Sequence, residues 1–193
     1  MKVLMIGDSF GVPKKEDPFP SWISMLSQTY DITNLSECGI SEYRIFKKLS
    51  SAHLNRFDSF IIIHTSPFRT YVDYNPIHSE SEYHKNCDVI LADIENRNDD
   101  FSKACQQYFK HIWNKDYSLD IHNLLCMDIQ RQLKDRPTLH ITNFDYRDCY
   151  DFNKELLCLW PIWQQHKGNV AHYDQEGNRI VFDIIDQKIK NIL

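Results

Sequence analysis

Glycine is scarce in this chain, 5 residues in 193, and no linker, internal repeat or low-complexity tract divides the sequence. A single domain over residues 1–193 is therefore expected, long enough to bury a core without staples. The 6 cysteines include no Cys-x-x-Cys pair, so zinc ribbons and redox motifs lack support; free thiols, no metal and no cofactor are the expectation. Of the 9 histidines, only His78 and His84 stand at a suggestive spacing, and solvated surface histidines explain them better than a ligand set. There is no long basic run and the formal net charge is −5, which argues against a nucleic-acid partner. No apolar run approaches membrane-spanning length and no leader-like segment precedes the first strand, so the reading is a cytoplasmic protein without a membrane partner. The segment Gly7-Asp8-Ser9-Phe10-Gly11 lacks the lysine of a phosphate-binding loop and the three glycines of a dinucleotide fingerprint, which sets nucleotide binding aside.

What is present begins at residue 2. Lys2 to Ile6 reads as a short buried strand, and Gly7-Asp8-Ser9 then forces a turn. That puts Ser9 at the carboxyl end of a strand, the edge where open parallel α/β sheets bind ligands and where bare N–H groups can hold an anion. Ser9 is the candidate nucleophile.

Further along, Ser21 caps a helix to about Gln28, Tyr30 to Leu35 forms a second strand, and Glu42 to Leu49 a second helix. Strand, helix, strand within thirty-five residues implies parallel strands joined by a right-handed crossover. Gly39, in the loop after the second strand, is a place for a bare backbone amide. Phe57 to Thr65 holds Ser-Phe-Ile-Ile-Ile-His, a central strand buried on both faces, ending abruptly in polar His64-Thr65-Ser66 before Pro67. Residues 70–135 read as a helical insert, with helices over Cys87 to Ile94, Phe101 to Trp113 and Leu119 to Leu133, the last with Ile121, Leu124, Leu125, Ile129 and Leu133 facing the core. Thr138 to Phe144 is a fourth strand, and Trp160-Pro-Ile-Trp163 a loop or broken helix that could wall a cleft. Asp174 caps a closing helix to about Ile192, which fixes His172 two residues before the helix start, where a base can be aimed.

Taken in order, Gly7-Asp8-Ser9-Phe10, Asn34 to Ser41 and His172-Tyr-Asp-Gln-Glu-Gly177 resemble three blocks of the SGNH, or GDSL-like, hydrolases. The resemblance implies a three-layer α/β/α sandwich with a mostly parallel, flavodoxin-like central sheet, Ser9 as nucleophile, Gly39 as oxyanion donor and His172 as base. Two positions depart from the family pattern. Where the family carries an oxyanion asparagine, this chain offers Thr65 or Ser66, with Arg69 nearby as a charged clamp. Where the family places its acid, three residues before the histidine, stands Asn169, which can orient an imidazole but not neutralise imidazolium. Asn169, a backbone carbonyl, Asp174, Asp145 and Asp148 all remain open as the orienting group.

The function implied is a serine esterase acting on a small-molecule or glycan ester through an acyl-enzyme. An O-acetylated carbohydrate is suggested by 4 tryptophans and 10 tyrosines. Acyl transfer to an alcohol at the same site, and a noncatalytic carbohydrate- or partner-binding module, are the alternatives; the sequence leaves the oligomeric state open.

Overall fold

Between Lys2 and Gly7 every side chain is apolar, the signature of a strand covered on both faces, and Val3, Leu4, Met5 and Ile6 are all fully buried. The computed structural model describes residues 1–13, 18–145, 150, 152, 155–168 and 172–192. Its strands are β1 (Lys2–Gly7), β2 (Asp31–Asn34), β3 (Ser59–His64), β4 (Thr138–Thr142) and β5 (Leu157–Cys158). They form one sheet in the order β2-β1-β3-β4-β5, with every pair parallel. The helices are α1 (Trp22–Leu26), α2 (Glu42–Ser51), α3 (Leu91–Ile94), α4 (Asp100–His111), α5 (Lys115–Gln132), α6 (Trp160–Gln165) and α7 (Gln175–Ile192).

Alternate side chains of the central strands enter two separate cores. Val3, Met5, Ile61 and Ile63 pack with Trp22 and Leu26 of α1 and with Val181 and Ile185 of α7. Leu4, Ile6, Phe60 and Ile62 pack on the other face with Ile45 and Leu49 of α2 and Ile129 of α5. The architecture is thus α/β, with helices on both faces of a parallel sheet. Each buried aliphatic side chain contributes roughly 1.5–3 kcal/mol, so two such cores hold the fold without covalent help. Cys38, Cys87, Cys105, Cys126 and Cys158 are outside any disulfide. No helix among the described residues is long and apolar enough to cross a membrane.

Gly7 is required by packing: a Cβ there would lie 2.4 Å from the Ile63 Cβ, so β1 can approach β3 this closely only without a side chain. The caps expected at Ser21 and Asp174 form and Ser41 caps α2, each accepting from the backbone N–H three residues on.

Several segments differ from the sequence expectation. The short strand β5 follows residues too irregular in pattern to signal it. Trp160-Pro-Ile-Trp163 is helical, because Pro161 sits in the first turn, where its missing N–H costs nothing. The helix expected over Cys87 to Ile94 is confined to Leu91–Ile94, since Val89 is drawn into an antiparallel bridge with Thr70. In α5 the inward positions are His122, Cys126 and Ile129, while Leu124 is 59% exposed. Helix α5 also belongs to the cover of the sheet, beside α2, and is not peripheral to it.

Candidate active site

The strand order places β2 and β3 on opposite sides of β1, so the chain leaves β1 in one direction and returns in the other at the carboxyl edge. This is the switch point at which open α/β sheets leave a crevice. Ser9 stands there, half-buried, as the first residue of a 3-10 turn, Ser9–Gly11. Asp8 caps that turn, its Oδ1 accepting from Phe10 N at 3.1 Å. Trp22 Nε1 donates to the Phe10 carbonyl at 3.1 Å, fixing the far end of the turn to α1.

The neighbouring strand ends bring up the other expected residues. After β2, Gly39 adopts φ +71°, a conformation open to glycine at little cost, and a Cβ there would press on Cys87 at 2.6 Å. Its carbonyl accepts from Arg69 Nη1 at 3.3 Å and from Asp88 N at 3.0 Å. Arg69 therefore braces the Gly39 loop, which the sequence expectation of a substrate clamp did not foresee. After β3, Thr65 and Ser66 are both buried. The Thr65 N–H is taken by Glu42 Oε2 at 3.2 Å, while its hydroxyl has no hydrogen-bond partner. Ser66 Oγ accepts from Phe68 N at 3.3 Å, a turn that leaves the hydroxyl proton to donate elsewhere.

His172 reaches the Ser9 turn through Phe10. Its ring stacks on Phe10, centroids 5.9 Å apart, so the loop before α7 packs against the residue after Ser9. That loop is pinned by Gly168 N donating to His172 O at 2.7 Å and by a bridge between Lys167 and Tyr173. Asn178 ties it to α1: Oδ1 accepts from Trp22 N at 2.9 Å and Nδ2 donates to Tyr173 O at 3.1 Å. The hydrogen bond from a serine hydroxyl to an imidazole that such chemistry uses often closes only with substrate bound. Asp174 Oδ1 caps α7 through Gly177 N at 2.7 Å and stands 3.3 Å from His166 Nδ1. Asp145 is exposed, and Asn169 and Asp148 lie outside the described residues.

Two features escaped the sequence reading. The first is the acid beneath Ser9. Asp8 is fully buried and its Oδ2 has no hydrogen-bond partner; Thr65 Oγ1 stands beside the carboxyl but outside hydrogen-bond geometry. Burial pushes the Asp8 carboxyl up to about 7, against the pull of Arg69 and of the Phe10 N–H. On the other side, burial and the nearby Asp8 raise the Tyr173 phenol, which donates to Asn143 Oδ1.

The chain matches no protein-family model and no curated protein sequence.

The second feature is a buried polar cluster behind Thr65. Glu42, at the start of α2, accepts at Oε1 from or shares a proton with His64 Nδ1 at 2.7 Å. His64 Nε2 meets His140 Nδ1 at 3.0 Å, and both rings lie on Phe152. His122 and Cys126 of α5 face the same carboxylate, with His122 Nδ1 at 4.0 Å from Glu42 Oε2 and Cys126 Sγ at 3.7 Å from His64 Nδ1. Burial works to raise the Glu42 carboxyl, but His64 and His122 outweigh it and hold it below the ordinary carboxylate value. Burial presses both His122 and His140 below the usual histidine range. The signal for α5 was available as His122-x-x-x-Cys126, one helix face, but its partners stand far away in sequence. Glu42 and His122 also line a pocket of about 430 Å³ shared with Ser66, Arg69 and Tyr71.

Proposed function

We propose that the chain is a serine esterase of the SGNH type that cleaves a small acyl ester through an acyl-enzyme. The observation that carries this reading is the position of Ser9, directly after β1 at the switch point of the sheet. Gly39 lies in the loop after β2, Thr65 and Ser66 follow β3, and His172 is packed on Phe10. The order β2-β1-β3-β4-β5 agrees with the flavodoxin-like sandwich that the SGNH resemblance implies.

In this mechanism Ser9 Oγ attacks the acyl carbonyl while His172 takes its proton, since a serine hydroxyl is a poor nucleophile at neutral pH. The N–H groups of Ser9 and Gly39 receive the developing oxyanion, with a hydroxyl in place of the family's asparagine. Thr65 is the better placed for that role by its hydrogen bonding: its hydroxyl is unengaged, whereas its N–H is already given to Glu42. One such donor is worth roughly 3 kcal/mol, so the exchange of amide for hydroxyl slows the reaction without abolishing it. His172 then protonates the leaving alcohol, and water, activated by the same imidazole, releases the acid. An alcohol in place of water gives acyl transfer from the same intermediate.

The test is turnover of p-nitrophenyl acetate, followed by a panel of O-acetylated sugars, with the wild type beside Ser9→Ala and His172→Ala. Loss in both variants, at unchanged folding, supports the serine mechanism. A folded wild type without turnover on any ester or with any alcohol acceptor points to a noncatalytic binding module.

A further inference from the structure

No side chain of the Glu42 cluster carries a step of the Ser9 chemistry, yet its composition is specific. It gathers a carboxylate, a thiol and an imidazole, all three side chains buried, and two of them, Glu42 and His122, line the 430 Å³ pocket. Their donor atoms, a Glu42 oxygen, a His122 nitrogen and Cys126 Sγ, lie within 4.8 Å of one another. A hydrophobic core alone gives no reason for this convergence, because buried polar groups are normally satisfied by hydrogen bonds. Here His122 Nδ1 is not: the side chain is 7% exposed and the nitrogen has no hydrogen-bond partner. Beside it is a cavity of about 20 Å³, lined by His64, Thr65 and His122, enough for one water-sized species.

We propose that Glu42, His122 and Cys126 form a binding site for a divalent transition ion of the zinc class. The donor set of one nitrogen, one sulfur and one oxygen suits an ion of borderline softness and disfavours magnesium or calcium, which select oxygen. Bond lengths of about 2.0–2.3 Å put tetrahedral donors about 3.3–3.6 Å apart, so the three side chains close by about 1 Å on the ion. Cys126 binds as thiolate, its proton leaving to solvent, and with the Glu42 carboxylate it neutralises the two positive charges within a buried site. Three protein donors leave a fourth position for water. His64 is a positioning residue: its hydrogen bond to Oε1 orients Glu42 so that Oε2 faces His122, and His140 fixes the His64 ring in turn. The site is independent of the Ser9 reading, because no ligand belongs to that machinery.

The experiment is a titration of chelator-stripped wild-type protein with Zn²⁺, in competition with a chromophoric chelator, and with Co²⁺, followed by absorbance. The expected result is a single equivalent bound, with a thiolate-to-cobalt charge-transfer band in the near ultraviolet. Cys126→Ser loses that band; His64→Gln weakens Zn²⁺ binding roughly 10–100-fold, and His122→Gln by more. The double variant His78→Ala/His84→Ala binds as wild type does. Circular dichroism reports whether each variant folds, and the wild-type Co²⁺ spectrum decides the matter should one fail. Absence of the band in wild type, its survival in Cys126→Ser, or loss of binding in the His78/His84 variant overturns the proposal.

Discussion

The Ser9 edge and the Glu42 cluster stand at the ends of β1 and β3, adjacent strands of one sheet, and they are built in opposite ways. Around Ser9 the ordering comes from backbone and loop: the Asp8 cap, the Trp22 indole on Phe10, the ring of His172 on the same phenylalanine. Around Glu42 it comes from side chains supplied by α2, β3, β4 and α5, bonded to one another and shut from water. A nucleophile has to keep its reactive atom accessible, so its surroundings hold the main chain. A buried carboxylate has to be matched atom by atom, so its surroundings hold the side chain. Thr65 belongs to both, giving its N–H to Glu42 and keeping its hydroxyl on the side of Asp8.

That contrast can be broken at either end. Ser9→Ala carries the largest expected effect, a fall in esterase turnover of about 10³-fold or more with an unchanged melting curve, because the residue supplies chemistry and little packing. Glu42→Ala should act the other way round, lowering unfolding free energy by about 3–5 kcal/mol in chemical denaturation, since it strands His64 and the Thr65 N–H in the interior.

Asp8→Asn sharpens the comparison through pH. The folded protein holds a proton on Asp8 up to about pH 7, whereas the unfolded chain releases it near 3.8. The stability tied to that proton is complete below pH 3.8 and lost as pH rises to 7. Denaturation midpoints from pH 4 to 8 should show the variant gaining on wild type, from no difference to on the order of 2–4 kcal/mol. His122 and His140 act in the opposite sense: burial lowers their pKa in the fold, so the unfolded chain binds more protons and stability falls as pH drops below 6.5. The substitution isolates this second arm. Thr65→Val comes next, with kcat lower by about 100-fold and KM little changed if the hydroxyl meets the oxyanion; Ser66→Ala should cost less. The smallest effect belongs to Asn178→Ala, which frees the His172 loop from α1 and should cost about 1–3 kcal/mol of stability with a modest drop in kcat.

How much of this could be read beforehand follows the same division. The strands β1 and β3 announce themselves as unbroken apolar runs, and the caps at Ser21, Ser41 and Asp174 are local chemistry, so the α/β order was legible. Ser9, Gly39 and Thr65 were legible as strand-end residues because a parallel sheet delivers every strand end to one edge. The inward face of α5 was not: Ile121 and Leu124 look like core by hydrophobicity, whereas the buried positions are taken by His122 and Cys126, whose reason for burial is Glu42, far away in the chain. The same holds for Asp8, whose motif reads as a turn. Its burial is made in the folded chain, where Thr65 and Arg69, far away in sequence, act on its carboxyl.

The most direct measurement on the central claim is labelling of the intact wild-type protein with a fluorophosphonate, with the modified residue mapped by mass spectrometry and the rate compared in His172→Ala. The account predicts one adduct, on Ser9, forming at least about 100-fold more slowly without the imidazole. A folded protein that takes no label, or takes it on another serine, or labels Ser9 at the same rate without His172, contradicts it.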